Sequence, residues 1–211
     1  MERSRIAIVI PALNEAATIS QVIGAAERYG MCIVVDDGSS DGTGSRARAA
    51  GATVVIHATN RGYDAALESG FSKAAETGCE AIITLDADGQ HSPELIEKFI
   101  TALDAGAAVV LGVRDRRQRL AEHIFAWYTR YRYDIADPLC GMKAYRVEVY
   151  RELGHFDAYL SIGTELMLFA ARKGFPISSV PFQVRDREGQ PRFGKKVTAN
   201  WKIFRALALS L

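Results

Sequence analysis

Long apolar runs are missing from this chain. No stretch of its 211 residues approaches 18 consecutive apolar side chains, so no membrane-spanning helix is expected. Cysteine is scarce. Cys32, Cys79 and Cys140 are odd in number and far apart, which argues against a disulfide framework or a zinc site and for a reducing cytosol. The four histidines (His57, His91, His123, His155) do not cluster. Repeats, low-complexity tracts and linkers are absent. A secretory leader is not expected, because the apolar segment after Arg5 is short and Asn14-Glu15 stands where cleavage would occur. Net charge is also nearly absent, at +1, but that balance conceals an asymmetry. Residues 1–111 carry 8 Lys and Arg against 15 Asp and Glu, and residues 112–211 carry 18 against 10. The basic half suits an anionic acceptor or an anionic membrane surface, or is simply a solvated face.

Apolar runs of strand length alternate with helical segments. Strands are expected at Arg5–Ile10 (ended by Pro11), Met31–Val35, Ala52–His57, Ala81–Leu85 and Ala107–Val113. Helices are expected from Asn14-Glu15 to about Arg28, from the 38–43 turn to Ala50, over Tyr63–Thr77 and over Pro93–Ala105. The pattern predicts an α/β fold: a mostly parallel central sheet flanked by helices, with ligands at the carboxyl ends of the strands. The later chain is less regular. Arg114–Asp134 is basic and aromatic, Asp137–Arg146 is a loop leading into a strand or short helix, and Gly163–Lys173 is a helix. Ile177–Val184 is a strand interrupted by Pro181, Arg185–Lys196 is a basic loop, and Val197–Leu211 is a helix. The length fits a single domain over 1–211, with halves at 1–113 and 114–211.

Two strand ends are acidic. Ile82-Ile83-Thr84-Leu85 runs into Asp86-Ala87-Asp88-Gly89-Gln90-His91, and Val34-Val35 runs into Asp36-Asp37-Gly38-Ser39-Ser40-Asp41. Two carboxylates spaced i, i+2 on a short turn are hard oxygen donors of the kind that hold Mg²⁺ or Mn²⁺ together with substrate phosphates. A carboxylate ending the neighbouring strand can accept from a nucleotide base or ribose. Asp36 and Asp41 have the alternative role of capping the next helix, and the turn at His91 that of capping the helix opening at Ser92-Pro93.

Four segments then appear in order: Ile10-Pro11-Ala12-Leu13-Asn14-Glu15, Val35 to Thr43, Asn60-Arg61-Gly62 and Asp86 to His91. This set resembles the family 2 glycosyltransferases of GT-A (Rossmann-like) fold, and among them the dolichyl- and polyprenyl-phosphate sugar synthases. The resemblance implies that Pro11, Leu13, Glu15, Val35 and Asp37 line a nucleotide site. It implies that Asp86, Ala87 and Asp88 bind the diphosphate and metal, with Asp88 and Gln90 as ligands and Asp86 beside them. Arg114 matches a basic residue that contacts the donor diphosphate. Asp137 to Arg146 is similar to a D-x-x-S-G-F segment, with Cys140 in place of the Ser. Arg185 to Arg192 is similar to a basic loop, with Pro191 in place of a Ser and with Arg185 and Arg187 competing for one role.

The resemblance implies an inverting transferase that takes a sugar from a nucleoside diphosphate. A lipid monophosphate acceptor is already anionic near neutral pH and needs arginines rather than a base. Arg114, Arg116, Arg117, Arg119, Arg185, Arg187 and Arg192 are available for it. A saccharide hydroxyl would need a carboxylate base, for which Glu165 stands at a helix start. The same Glu165 also suits helix N-terminal charge stabilisation. A nucleotidyltransferase is disfavoured, because its Gly-rich, Lys-bearing N-terminal loop is missing, and a non-catalytic nucleotide-binding module is disfavoured by the acidic turns. Leu120–Tyr133 and the last helix mix aromatic and basic residues. Such faces suit peripheral contact with a membrane on its cytoplasmic side, docking against the protein's own core, or an oligomer or membrane-anchor subunit contact. Nucleic acid is disfavoured by the acidic first half.

Overall fold

The computed structural model describes residues 1–89, 94–115, 120–158, 161–183 and 205. After a short 3-10 turn at Arg3–Arg5 come β1 (Ile6–Ala12), α1 (Ile19–Ala26), β2 (Met31–Asp36), α2 (Thr43–Ala49), β3 (Thr53–Ile56), α3 (Tyr63–Glu76) and β4 (Ala81–Thr84). These are followed by α4 (Glu94–Asp104), β5 (Val109–Arg114), α5 (Leu120–Tyr133), β6 (Lys143–Arg146), α6 (Val147–Leu153), α7 (Thr164–Lys173) and β7 (Ile177–Phe182). No helix among the described residues is long and apolar enough to cross a membrane.

The seven strands form one sheet in the order β3-β2-β1-β4-β6-β5-β7. Side-chain alternation along β1 sets the two layers. Ile6, Ile8 and Ile10 join a core with Ile19 and Ile23 of α1, Ala47 of α2 and Phe99 of α4. Ala7 and Val9 join a second core with Leu67 and Phe71 of α3, Phe125 of α5, Val149 of α6 and Leu166 of α7. Gly70 allows α3 to lie close on the sheet, since a Cβ there would stand 2.3 Å from Val9 Cγ1.

The structure corrects several expected boundaries. Pro11 does not end β1, and it pairs with Val35 inside the strand. Its missing N–H falls on the β4 side, where pairing has already stopped at Val9↔Thr84. Asn14 does not open α1. It sits at φ +53 in a loop, and the helix begins at Ile19. Pro181 does not interrupt β7. The strand runs through it, paired with Val113, at the sheet edge where proline costs least.

The sheet is mostly parallel, as expected, but β6 runs antiparallel between β4 and β5. The segment after α5 returns Asp137 to the carboxyl end of β5, where it meets Arg114, so the chain enters β6 from that end. Helix α6 follows β6 with no intervening turn, and no Gly or Pro marks the change. The Val197–Leu211 helix lies outside the described residues except for Arg205.

Candidate active site

The carboxyl ends of β1, β2, β4 and β5 share one edge of the sheet, and the amino end of β6 joins them there. The loop after β1 is fixed across this edge. Glu15 is buried, and its N–H donates to Thr43 Oγ1 at 2.8 Å. Thr18 Oγ1 donates to the carbonyl of Ala87 at 2.7 Å and lies 3.2 Å from Glu15 Oε2. The expected nucleotide loop and the middle of the D-x-D turn are therefore tied directly together. Asp41 ties the same region: Oδ2 accepts from Ala16 N–H and Oδ1 from the N–H and hydroxyl of Thr43. Asp36 accepts from Ser39 N–H at 2.9 Å.

Asp37 is buried and multiply bonded. Oδ1 accepts from Arg61 N–H at 2.9 Å, and Oδ2 accepts from Gly62 N–H at 2.8 Å. The His57 ring bridges Asp37 Oδ1 (2.6 Å from Nδ1) and Ser69 Oγ (2.9 Å from Nε2). The next residue, Tyr63, donates its hydroxyl to Asp86 Oδ1 at 2.9 Å. The turn 60–63 thus fastens both acidic strand ends at once. Burial, and then the negative charge of Asp86, hold the Tyr63 phenol well above its ordinary pKa, so it stays a donor. On the other side of Asp86 stands Gly141, where a Cβ would lie 3.0 Å from Asp86 Oδ2 and 3.2 Å from the Tyr63 hydroxyl. Tyr63→Phe removes a bond to a charged group, worth roughly 1.5–3 kcal/mol. Should the site take the nucleotide sugar and metal that the resemblance implies, donor binding with Mn²⁺ is expected to weaken about tenfold by calorimetry, with a smaller change in kcat.

Asp86 is half-buried, while Asp88 is 8 % exposed. Thr84 stitches the same strand end to β6: Oγ1 donates to Gly141 O at 2.6 Å and accepts from Lys143 N–H at 2.8 Å. Val35 is fully buried in the core beneath α3, so its side chain is committed to packing.

Arg114, the last residue of β5, meets Asp137 through a two-point fork, Nε to Oδ2 at 2.8 Å and Nη2 to Oδ1 at 2.9 Å. Nη2 also reaches Glu122 Oε2 at 3.3 Å. Burial works against the charge of Arg114, and the bonded Asp137 more than offsets this and holds its pKa above the usual arginine value. For Asp137, burial likewise opposes ionisation, and the Arg114 bonds win and lower its pKa. A cleft of about 330 Å³ opens beside Arg114, between the ends of β5 and β7.

Cys140 is fully buried and lies in the α1/α4 core beside Gly112. Burial pushes its thiol up to about 12. The position taken by Ser in the resembling family therefore points into packing here, and the exchange removes no hydroxyl from the open edge.

Lys143 is buried, and its ammonium donates to the carbonyl of Ile162, whose N–H donates to Asp64 Oδ1 at 2.7 Å. Ile162 sits at φ +61 and is pinned from both sides. Burial lowers the Lys143 pKa from 10.5 to about 8, against the raising pull of Cys140, Asp157, Asp137 and Asp64. Below pH 8 the buried charge costs stability. From about 8 to 10.5 the unfolded chain holds a proton that the folded chain has released, so the cost fades as pH rises. Across that window wild type is expected to gain up to about 3 kcal/mol relative to Lys143→Met in urea unfolding. Parallel stability curves for the two proteins would contradict this.

Glu165 lies in the first turn of α7. Oε2 accepts from Ala158 N–H at 2.5 Å, and Oε1 lies 3.1 Å from His155 Nε2 without hydrogen-bond alignment. Asp157 caps the same helix start by accepting from the N–H groups of Ser161, Gly163 and Thr164.

The structure thus gathers Pro11, Leu13, Glu15, Asp37, Asp86, Ala87, Asp88 and Arg114 along one edge, while Glu165 faces the 155–158 segment. Gln90, His91, Arg185, Arg187 and Arg192, with Arg116, Arg117 and Arg119, lie outside the described residues. Sequence reasoning passed over Tyr63, His57 and the Arg114–Asp137 fork. Tyr63 and His57 flank the Asn60-Arg61-Gly62 turn, which was the available signal.

Residues 7–154 match the model of glycosyl transferase family 2. The polyprenol monophosphomannose synthase of Mycolicibacterium smegmatis is 29% identical over 87% of this chain and 78% of its own. The dolichyl-phosphate hexose transferase of Haloferax volcanii is 28% identical over 89% of this chain and 86% of its own. Among solved structures, glucosyl-3-phosphoglycerate synthase from Mycobacterium tuberculosis, in complex with Mn²⁺, UDP and phosphoglyceric acid, superposes with a TM-score of 0.77. That similarity covers 99% of this chain and 78% of the other at 22% identity, and it places the sheet and its helices in the GT-A architecture. With the family match spanning most of its length, the chain belongs to glycosyl transferase family 2.

Proposed function

We propose that this glycosyltransferase moves a sugar from a nucleoside diphosphate to a polyprenyl phosphate, with inversion at the anomeric carbon. The donor assignment rests on Asp37 and Asp86 being held to the single turn 60–63 at the carboxyl edge of a parallel sheet, where such folds take nucleotides. Solved relatives of this architecture with bound UDP support it.

Asp86 and Asp88, with Gln90 two residues further on, would hold Mg²⁺ or Mn²⁺. The donor set fits. Both are hard oxygen ligands at one strand end, and no group of three His, Cys, Asp or Glu able to hold a metal exists among the described residues. An ion held by one or two carboxylates and completed by substrate phosphates needs no such cage. A divalent cation there would offset the charge that develops on the departing diphosphate. Tyr63 and Gly141 fix the orientation of Asp86. Arg114, at the end of β5 beyond β6, would meet the diphosphate as a guanidinium held in one orientation by its fork with Asp137, its charge shared with Asp137 and Glu122. Arg187 and Arg192 would add positive charge for the acceptor phosphate.

The observation that carries the acceptor reading is at Glu165. Its carboxylate takes the N–H of Ala158 and faces His155, so it serves the chain segment 155–158. A hydroxyl acceptor needs a base, while a lipid phosphate, with a second pKa of about 6, arrives ionised. The names of the mycobacterial and haloarchaeal relatives agree with a lipid phosphate.

Nucleotide sugars are to be screened by thermal shift with Mn²⁺, and the stabilising donor then assayed with a short-chain polyprenyl phosphate. Glu165→Gln is expected to keep turnover within about tenfold. A loss of 10²–10⁴-fold with donor binding intact, the size of general-base catalysis, would favour a saccharide hydroxyl acceptor with Glu165 as base. That second reading draws on the place of Glu165 in the first turn of α7.

A further inference from the structure

We infer that the outer face of α5 is a membrane-docking surface that seats the enzyme on an anionic lipid bilayer. The helix buries Phe125, Ala126 and Thr129 and turns Glu122 inward onto Arg114. Its opposite face presents His123, Ile124, Trp127, Arg130 and Tyr131 to solvent. The i, i+3, i+4 spacing puts these five on one stripe. Trp127 is 70 % exposed and Tyr131 82 %. Four large hydrophobic side chains are exposed among the described residues, and three of them, Ile124, Trp127 and Tyr131, lie on this stripe.

The two rings are stacked, with centroids 6.0 Å apart and planes 10° from parallel, so they form one amphipathic plate. Exposed Trp and Tyr gain most at the level of lipid headgroups, where the ring body is dry and its polar edge wet. Charge selects the occupant. The stripe carries Arg130 and His123 and no carboxylate, the next along the chain being Asp134 beyond the helix end. An anionic bilayer complements that charge. A second copy docked face to face would set the same basic residues against each other, because a two-fold contact pairs a surface with itself.

Position adds a second argument. The inner side of this helix holds Arg114 through Glu122, so a bilayer under the outer face lies one helix away from the expected diphosphate site. The inference rests on the polyprenyl phosphate reading for its purpose and on the exposed stripe for its evidence. A lipid-borne phosphate would then be met where its headgroup already resides.

The test is co-sedimentation of the full chain with phosphatidylcholine–phosphatidylglycerol vesicles, and with phosphatidylcholine alone, at low and high salt. Wild type is expected to bind the anionic vesicles and to release in salt. Trp127→Ala/Tyr131→Ala is expected to lose at least about tenfold in partitioning. In a Trp201→Phe background, Trp127 is the remaining tryptophan, and its emission is expected to shift blue and to be quenched by brominated lipid. Wild type that ignores anionic vesicles, a double variant that sediments like wild type, or an emission unmoved in the bound protein would each overturn the inference. A concentration-dependent dimer that the double variant loses in ultracentrifugation would overturn it in favour of a self-contact. Transfer to a water-soluble polyprenyl phosphate without vesicles keeps the two readings apart. Vesicle binding without transfer defeats the acceptor assignment alone, and transfer by a protein that binds no vesicles defeats the docking surface alone.

Discussion

Asp88→Asn is expected to lower kcat by roughly 10²–10³-fold while leaving the far-ultraviolet circular dichroism unchanged. The substitution keeps the side chain's size and its capacity to accept hydrogen bonds at a site that is 8 % exposed. What it removes is one negative charge on the turn where a divalent cation and a diphosphate are expected to meet. Asn is a far weaker ligand for Mg²⁺ than a carboxylate, and charge neutralisation at the leaving group is the largest single contribution available to such a reaction. Chelation of the metal from wild type is expected to produce a loss of the same order, and excess Mn²⁺ is expected to restore wild type but not the variant. A variant that turns over within tenfold of wild type under saturating metal would remove Asp88 from the mechanism. The contrast with Tyr63→Phe is informative, since that change loosens Asp86 without altering charge and is felt mainly in donor affinity.

Arg114→Ala is expected to be the most destabilising of the changes considered, by about 3–5 kcal/mol at neutral pH. The side chain is 21% exposed, while those of its partners Asp137 and Glu122 are 2% and 8% exposed. Removing the guanidinium leaves both carboxylates buried without the cation that holds them. The pH dependence has a definite sign. In wild type, the bonds from Arg114 overcome burial and depress the pKa of Asp137, so this stabilisation is present at neutral pH and lost on acidification through that pKa. In the variant the guanidinium is gone while burial persists, opposed by the backbone N–H of residue 114 and the charge of Lys143, so the pKa of Asp137 rises relative to wild type and protonation relieves the variant as pH falls. The stability gap between the two proteins is therefore expected to narrow as pH falls through and below the ordinary carboxylate value of 3.8 in urea titrations. Arg114→Lys keeps the charge but not the two-point fork and is expected to fall between them. Transfer activity should drop in both, and a fully active, fully stable Arg114→Ala would refute the pairing as well as the proposed catalytic role.

The parallel part of the sheet was legible because strand and helix periods differ and because Gly and Pro punctuate the first half. Ile6, Ile8 and Ile10 against Ala7 and Val9 already encode the two layers. The acidic strand ends were legible for the same reason, since carboxylates interrupt apolar runs at Asp36 and Asp86. What stayed hidden were contacts between residues distant in the chain. Tyr63 and Asp86 are 23 positions apart, as are Arg114 and Asp137, and no periodicity connects them. The setting of Cys140, which stands in place of the Ser of the resembling segment, stayed hidden too, because only the fold brings Gly112 and Phe182 against it. Pro11 and Pro181 were over-read as breakers, because the harm done by proline depends on which neighbour its ring faces. Helix α6 was missed because Arg146-Val147 carries no turn chemistry, and the chain passes from strand to helix between adjacent residues.

The antiparallel insertion of β6 has a consequence for biogenesis. β4 pairs with β1 on one side and β6 on the other, and the β5–β7 pair joins the first four strands through β6. On the ribosome, the first four strands can assemble as they emerge, but the edge of β4 stays open until residues 143–146 are made. Nascent chains stalled before that point expose a ready template for intermolecular strand addition. The first half of this enzyme is therefore poorly suited to life as a separate polypeptide, and closure of the sheet waits on a ladder spanning some sixty residues of chain.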